Sequence, residues 1–101
     1  VNMIQDTHKF SFEGVIFDYP GKDQWSHLVA ENVELLHKAA KEIGLKEWWF
    51  QDKPNRPHYD IRGGKIQLAK IKGIKQVSER ELVRFMQKHY PTPKSNDLEE
   101  D

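Results

Sequence analysis

The chain has 101 residues, in which 16 lysines and arginines balance 16 aspartates and glutamates, and 37% of the residues are apolar. This length fits one compact domain with a small core. No apolar run exceeds three residues and there is no cysteine, which excludes a membrane span of about 20 residues, disulfides, thiolate zinc sites and cysteine nucleophiles.

The neutral total hides an uneven distribution of charge. Residues 53–75 hold seven basic side chains against the single acid Asp60, whereas residues 94–101 hold four acids and one lysine. The basic segment 53–75 is suited to attract anions, although lysine-rich segments are also common on solvated faces. We expect one ordered domain over residues 1–90 and a disordered acidic tail over residues 91–101, which contain two prolines.

Three segments carry the signals of helices. The first has apolar residues at helical spacing between Asn32, a candidate N-cap, and Gly44, a candidate stop. The last begins with a capping box formed by Ser78 and Glu81. The middle segment spreads its apolar residues around the helix and ends before a glycine. The predicted helices cover residues 33–43, 64–72 and 79–89.

Short apolar runs around these helices indicate strands, at residues 3–4, 15–17, 27–29, 48–50 and 74–77. Alternation over residues 9–13 adds a β-hairpin ahead of Val15, with its turn near Glu13 and Gly14. Alternation of strands and helices is typical of an α/β domain. We therefore predict a small, mostly parallel sheet of four or five short strands with three helices and an N-terminal β-hairpin.

Ligands of open parallel sheets bind beyond the carboxyl ends of the strands. Asp18 follows the strand 15–17, Gln51 follows the strand 48–50, and residues 52–60 form a loop that leads into the middle helix. We expect these polar residues to converge at one edge of the sheet.

The loop 52–60 contains the densest group of reactive side chains. Arg56, His58, Asp60 and Arg62 lie within seven residues, and they suit an oriented His–Asp pair, two metal ligands or a phosphate site beside a helix N-terminus. The alternatives are that Asp60 caps the helix and that His58 is an ordinary loop residue.

Two aromatic clusters precede this loop in sequence. Trp25 precedes His27, whose imidazole is either a site residue or a buried strand residue. Trp49 precedes Gln51, and a tryptophan there either packs in the core or stacks on a base or sugar whose polar edge the amide contacts. The sequence contains none of the common phosphate-loop, dinucleotide, serine-hydrolase or zinc-protease motifs.

The clusters together resemble a known family. The motifs W-S-H-L at residues 25–28, W-F-Q at 49–51 and H-Y-D at 58–60 are similar to those of small bacterial and phage proteins grouped as domain of unknown function 4031, over about residues 25–86. Members begin with a strand that ends in paired aspartates, and here either Asp6 or Asp18 stands at that position. The resemblance implies a site without implying an activity. A phage origin would imply the host cytoplasm and a role in sequestering a signal nucleotide.

We interpret the protein as a module that binds a phosphate-containing small ligand, most simply a nucleotide. The ligand-binding candidates are Trp25, His27, Trp49, Gln51, Arg56, His58, Tyr59, Asp60 and Arg62. The first alternative is a phosphoesterase or nuclease that depends on a divalent metal. Its catalytic candidates are His27, His58 and Asp60, and its metal candidates are Asp6, Asp18, His27, His58 and Asp60.

A second alternative is a protein-interaction module in which these histidines and aspartates are structural. No membrane partner is expected, and a homo-oligomer stays open. The basic segment favours nucleic acid as a binding partner, whereas the neutral net charge argues against it. The absence of a basic-then-apolar start predicts a cytoplasmic protein.

Overall fold

The computed structural model describes residues 10–91. The strand at residues 3–4, the metal candidate Asp6 and nearly all of the acidic tail lie outside the described residues. The limits of the domain and of its tail therefore stay predictions. The described strands are β1 (Val15–Asp18), β2 (Trp25–Ala30), β3 (Phe50–Gln51), β4 (His58–Arg62) and β5 (Lys75–Val77), and the helices are α1 (Val33–Glu42), α2 (Gly64–Ile71) and α3 (Glu79–His89).

The three predicted helices are confirmed, and side chains cap the N-termini of α1 and α3 but not that of α2. The Asn32 side-chain oxygen accepts a hydrogen bond from the Leu35 amide at 2.8 Å, which caps α1. The Ser78 hydroxyl accepts from the Glu81 amide at 3.1 Å and caps α3 in the same way. Gly44 follows α1 with a φ of 78°, a left-handed conformation that glycine adopts without strain.

The sheet is mixed and mostly antiparallel, so the prediction of a mostly parallel sheet is wrong. Its strand order is β3-β4-β2-β1-β5, and only β1 and β5 pair in parallel. Residues 19–24 return the chain directly beside β1, where the Gln24 amide donates to the Gly21 carbonyl at 2.9 Å. Such a short connection can only join antiparallel neighbours, because a parallel pair needs a crossover of a dozen residues or more.

An N-terminal hairpin is present, and β1 and β2 form it. The chain does turn at Glu13 and Gly14, where the Val15 amide donates to the Phe12 carbonyl at 3.0 Å. Residues 10–12, however, are not a strand, so this turn precedes the hairpin.

The strand β4 replaces the end of the predicted loop 52–60. Its side chains alternate, with Tyr59 and Ile61 buried on one face and His58, Asp60 and Arg62 on the other. The predicted strand 48–50 is instead a 3-10 turn at Glu47–Trp49 followed by the two residues of β3. Because β4 lies between β3 and β2, the H-Y-D motif belongs to the sheet.

The two faces of the sheet are covered to different extents. The larger core lies on the face that packs against α1 and α2 and includes Phe17, Leu28 and Leu36. On the opposite face, Leu82 and Met86 of α3 pack over a smaller cluster that contains Ile16, Val29 and Val77. This cluster lies on β1, β2 and β5, so within residues 10–91 the apolar packing of α3 does not extend over the part of that face formed by β4. None of the helices described over residues 10–91 is long and apolar enough to cross a membrane.

Candidate functional site

A cleft of about 500 Å³ lies between α3 and the loop that joins β3 to β4. One side of this cleft is apolar and is formed by Leu82, Val83 and Met86 of α3. The other side carries the basic residues Lys53 and Arg56 of the loop. The cleft therefore joins an apolar surface to a cationic one.

The floor of the cleft contains an Asp–His pair. Asp18 ends β1 with a buried carboxylate, and its Oδ1 accepts from the His27 backbone N–H at 2.7 Å. Its Oδ2 lies 3.0 Å from His27 Nδ1. Since a carboxylate accepts, Nδ1 carries the proton, and the imidazole keeps Nε2 for a second contact. The hydrogen bond that His27 donates to Asp18 raises the pKa of His27 above 6.5, and the negative charges of Asp18, Asp60 and Asp23 add to this effect. Burial of the imidazole opposes it in part.

The raised pKa of His27 predicts how stability changes with pH. The stabilisation from the charged pair is fully present below the unfolded-state pKa near 6.5 and is lost as pH rises through the higher folded-state pKa. Asp18→Asn keeps an acceptor for the backbone N–H but removes the charge, so it is expected to lower the pKa of His27 and flatten this dependence. NMR titration of the imidazole and denaturation at several pH values measure both effects, and an unchanged pKa would contradict the assignment.

A second His–Asp pair lies beside the first. His58 Nδ1 lies 2.8 Å from the Arg56 carbonyl oxygen, and because a carbonyl only accepts, Nδ1 is the donor. His58 Nε2 lies 3.3 Å from Asp60 Oδ1, which in turn lies 4.0 Å from His27 Nε2. The two imidazole rings are 5.4 Å apart between centroids. Asp18, His27, Asp60 and His58 thus form one continuous polar row across β1, β2 and β4.

Of the residues expected to converge, Asp18, His58 and Asp60 lie close together and His27 joins them, whereas Gln51 does not line the cleft. Register pairs His27 with Asp60 on adjacent antiparallel strands, and the hairpin brings the end of β1 beside the start of β2. Alternation then places His27, His58 and Asp60 on one face. Neighbouring strands of a largely antiparallel sheet therefore build the site.

A histidine that binds a metal through one ring nitrogen usually donates a hydrogen bond from the other nitrogen to a carboxylate or a carbonyl. Both imidazoles make such a contact through Nδ1, His27 to the Asp18 carboxylate and His58 to the Arg56 carbonyl. Within residues 10–91, however, no group of three or more histidines, aspartates or glutamates is arranged to hold a metal ion. Both oxygens of Asp18 are already engaged by His27. The divalent metal of the alternative hypothesis therefore stays a prediction.

Tyr59 was predicted to bind the ligand, and the structure corrects this. Its side chain is buried on the opposite face of the sheet, and its hydroxyl lies 2.8 Å from His37 Nδ1. Burial, aided by the charge of Glu47, raises the pKa of this phenol. Tyr59 is therefore a core residue, because neighbouring residues of a strand face opposite sides.

Tyr59→Phe tests this placement. The substitution removes only the hydroxyl, so it is expected to lower the free energy of unfolding by about 0.5–1.5 kcal/mol, which is typical of one hydrogen bond. Ligand binding in the cleft is expected to stay unchanged. Urea denaturation and calorimetric titration measure the two quantities, and a loss of affinity with intact stability would return Tyr59 to the site.

The remaining predicted residues lie around the cleft without lining it. Gln51 pairs with His58 at the edge of the sheet, and Trp49 lies in the 3-10 turn before β3. Trp25 and Arg62 oppose each other on the same face as His27. The row of four residues and Arg56 are thus brought together, whereas the tryptophans are not.

Residues 16–89 match the family model described as protein of unknown function (DUF4031). The match spans most of the chain, including β2, β4 and all three helices. The chain belongs to this family. Neither the curated proteins nor the solved structures contain a match to it. In this DUF4031 protein, Asp18 ends β1 and falls inside the matched region, whereas Asp6 precedes it. Asp18 therefore fits the strand-ending position that the resemblance implies, and the choice between Asp18 and Asp6 stays a prediction.

Sequence reasoning missed what α3 contributes to the site of this DUF4031 protein. Leu82 and Met86 belong to the smaller apolar cluster, yet they also line the cleft, and Val83 beside them is exposed. The Tyr90 hydroxyl donates to the Ala30 carbonyl at 2.8 Å, which ties the end of α3 to β2, and burial raises the pKa of Tyr90. Val83 lies beside the buried Leu82, and an apolar residue there was a signal that the apolar surface of α3 extends beyond the part that packs on the sheet.

Proposed function

We propose that the cleft binds a phosphate-containing small ligand and that a nucleotide is the best fit. The observation that carries this proposal is the pairing of a basic surface with an apolar surface in one cleft of about 500 Å³. Pockets of about 300–1,000 Å³ are typical of sites that bind small molecules and cofactors. A nucleotide presents the complementary pair of features, since it joins an anionic phosphate to a flat, largely apolar base.

Four groups would receive the phosphate. Lys53 and Arg56 supply full positive charges from the loop, and guanidinium groups bind phosphate through paired N–H donors. His27 and His58 lie on the floor between the loop and α3. A charged His27 donates through Nε2, whereas the Nε2 of His58 is shared with Asp60 at 3.3 Å. The raised pKa of His27 favours that charged form near neutral pH.

Acidic residues in the cleft oppose anion binding only in part. The carboxylate of Asp18 is engaged by two hydrogen bonds from His27, and Asp60 lies within ion-pair distance of both imidazoles. When His27 is charged, Asp18 and Asp60 are neutralised in part, whereas Glu79, which also lines the cleft, has no ion pair within residues 10–91. Phosphate binding is therefore expected to weaken as pH rises through the pKa of His27.

The base would pack on α3. Leu82, Val83 and Met86 form an apolar surface that faces the loop, and a methionine sulfur and aliphatic side chains make favourable contacts with aromatic rings. Asn55 and Gln87 lie nearby in the lining and can exchange hydrogen bonds with the polar edge of a base.

Thermal unfolding in the presence of nucleoside monophosphates tests the proposal. A ligand that binds only the folded state raises the melting temperature, and the stabilisation grows with the logarithm of one plus the ratio of the free ligand concentration to Kd. AMP and GMP are expected to raise it, whereas adenosine and guanosine, which lack phosphate, are expected to have little effect. His58→Ala is expected to reduce the shift while leaving the protein folded. Asp60→Asn is expected to do the same, because the charge of Asp60 helps to raise the pKa of His27 and so favours the charged imidazole. Lys72→Gln, an exposed residue of the basic segment outside the cleft lining, is the matched control.

A second candidate function is hydrolysis of a phosphoester, which the Asp18–His27 pair favours. A carboxylate that holds Nδ1 leaves Nε2 to take or give a proton, as in general acid–base catalysis. Incubating the protein with phosphomonoesters and short oligonucleotides, with added Mn²⁺ or with EDTA, separates binding, metal-free turnover and metal-dependent turnover. Binding without turnover would leave sequestration of a nucleotide in the cytoplasm as the role. The absence of any melting shift would favour the protein-interaction hypothesis.

A further inference from the structure

A pair of side chains lies beside the cleft on the same face of the sheet. Trp25 opposes Arg62 across β2 and β4, and the Arg62 guanidinium carbon lies 5.0 Å from the centroid of the Trp25 ring. Trp25 keeps 36% of its surface exposed, and Arg62 is exposed as well. Neither residue lines the cleft. We call this pair the Trp25–Arg62 shelf.

The shelf continues the cleft along β2. Val29, His27 and Trp25 share one face of the strand, because alternate residues point to the same side. Val29 packs under α3, His27 lies on the cleft floor, and Trp25 is one further step of roughly 7 Å along the strand. The apolar cluster under α3 includes neither member of the shelf. A ligand seated at His27 can therefore extend onto the shelf along the open face of the sheet.

The chemistry of the shelf matches one nucleotide unit. An exposed tryptophan ring stacks on bases of any sequence, and a guanidinium beside it offers planar N–H donors to a phosphate. These are the two partners that a second nucleotide would need beyond the first. A cation stacked on a surface tryptophan is also a common structural contact. The test therefore needs a second cation–tryptophan pair that has the same chemistry but lies at another place on the surface.

The chain contains a matched pair that allows this comparison. The Lys46 amino group lies 5.9 Å from the ring centroid of Trp48, which is 78% exposed. This pair has the same cation-on-indole chemistry as the shelf. It lies at the 3-10 turn after α1, and neither of its residues lines the cleft.

We propose that the ligand of the cleft is a single-stranded oligonucleotide of at least two units, whose second base stacks on Trp25 and whose second phosphate pairs with Arg62. This inference rests on the proposed function, because the first unit occupies the cleft. It adds that the binding surface runs from α3 across His27 to the open end of β2. A mononucleotide would then use only part of that surface.

Calorimetric titration with AMP and with 5′-phosphorylated diadenylate tests the inference. The dinucleotide is expected to bind more tightly than AMP. Trp25→Ala is expected to weaken dinucleotide binding about 5- to 150-fold, as for loss of one stacked base, and Arg62→Gln about tenfold or more. Both variants are expected to bind AMP as the parent does, and Trp48→Ala is expected to change neither affinity.

The outcomes separate the two proposals. If AMP binds but the dinucleotide gains nothing, or if both shelf variants keep the parent affinity for the dinucleotide, the shelf is not a subsite and the proposed function stands. If neither ligand binds, the proposed function fails and the inference fails with it. Circular dichroism verifies the fold of each variant. If Trp25→Ala unfolds, Arg62→Gln at the exposed end of β4 decides the question.

Discussion

Leu36→Ala is expected to lower the free energy of unfolding by about 2–5 kcal/mol, the range found when a fully buried leucine is truncated. Leu36 lies on α1 and has no solvent exposure in the larger core, where Phe17 and Leu28 of the sheet are also buried. Its removal loses buried apolar surface and leaves a cavity. Domains of this size are stable by about 5–15 kcal/mol, so the variant would lose a large part of its stability.

Chemical denaturation measures this loss, and a substitution on the opposite side of the same helix provides the control. Lys38 is exposed and makes a surface ion pair with Glu34 at 3.6 Å. Such pairs contribute little, so Lys38→Ala is expected to change the stability by less than about 0.5 kcal/mol. Equal effects of the two substitutions would show that α1 does not bury the face described for it.

His27→Ala is expected to weaken nucleotide binding about 10- to 150-fold, which corresponds to the loss of one hydrogen bond to a charged group. His27 combines a raised pKa with a position on the cleft floor. Its charged imidazole also offsets the negative charge of Asp60, so removal of the imidazole leaves that carboxylate free to repel the phosphate. Titration at pH 6 with AMP measures the loss.

A matched histidine substitution shows whether the effect is specific. His89 packs on Phe85 within α3, with 4.5 Å between ring centroids, and His89→Ala is expected to leave nucleotide affinity unchanged. His27→Ala also deprives the buried Asp18 of one partner, which is destabilising. The double variant Asp18→Asn with His27→Ala removes that charge, so a loss of affinity in a folded double variant is assigned to His27. Unchanged affinity would remove His27 from the site.

The helices could be predicted from the sequence because their signals are local. The caps at Asn32 and Ser78 act within a few residues, and each stabilises a helix end wherever the helix lies in the fold. The directions of the strands could not be predicted in the same way. The pairing of β1 with β5 depends on residues far apart in the chain, and neither strand carries a signal for a parallel or an antiparallel neighbour.

The site was predicted in its polar part and missed in its apolar part. His27, His58 and Asp60 stood out because imidazole and carboxylate groups are chemically distinctive. The strand that carries two of them was misread as a loop, although Tyr59 and Ile61 alternate with polar residues as in a half-buried strand. Leucine and methionine on α3 have no such mark, since the same residue types fill an ordinary core.

The attachment of α3 has a consequence for motion. Among the described strands, β5 joins the sheet only through β1, by pairing residues 75–77 with residues 16–18. The helix α3 packs on the smaller of the two apolar clusters. Units held by fewer buried contacts open at lower free energy than the central strands of a sheet. The backbone amides of β5 and α3 should therefore exchange with deuterium sooner than those of β2 and β4. Because α3 forms one side of the cleft, a bound ligand would slow that exchange.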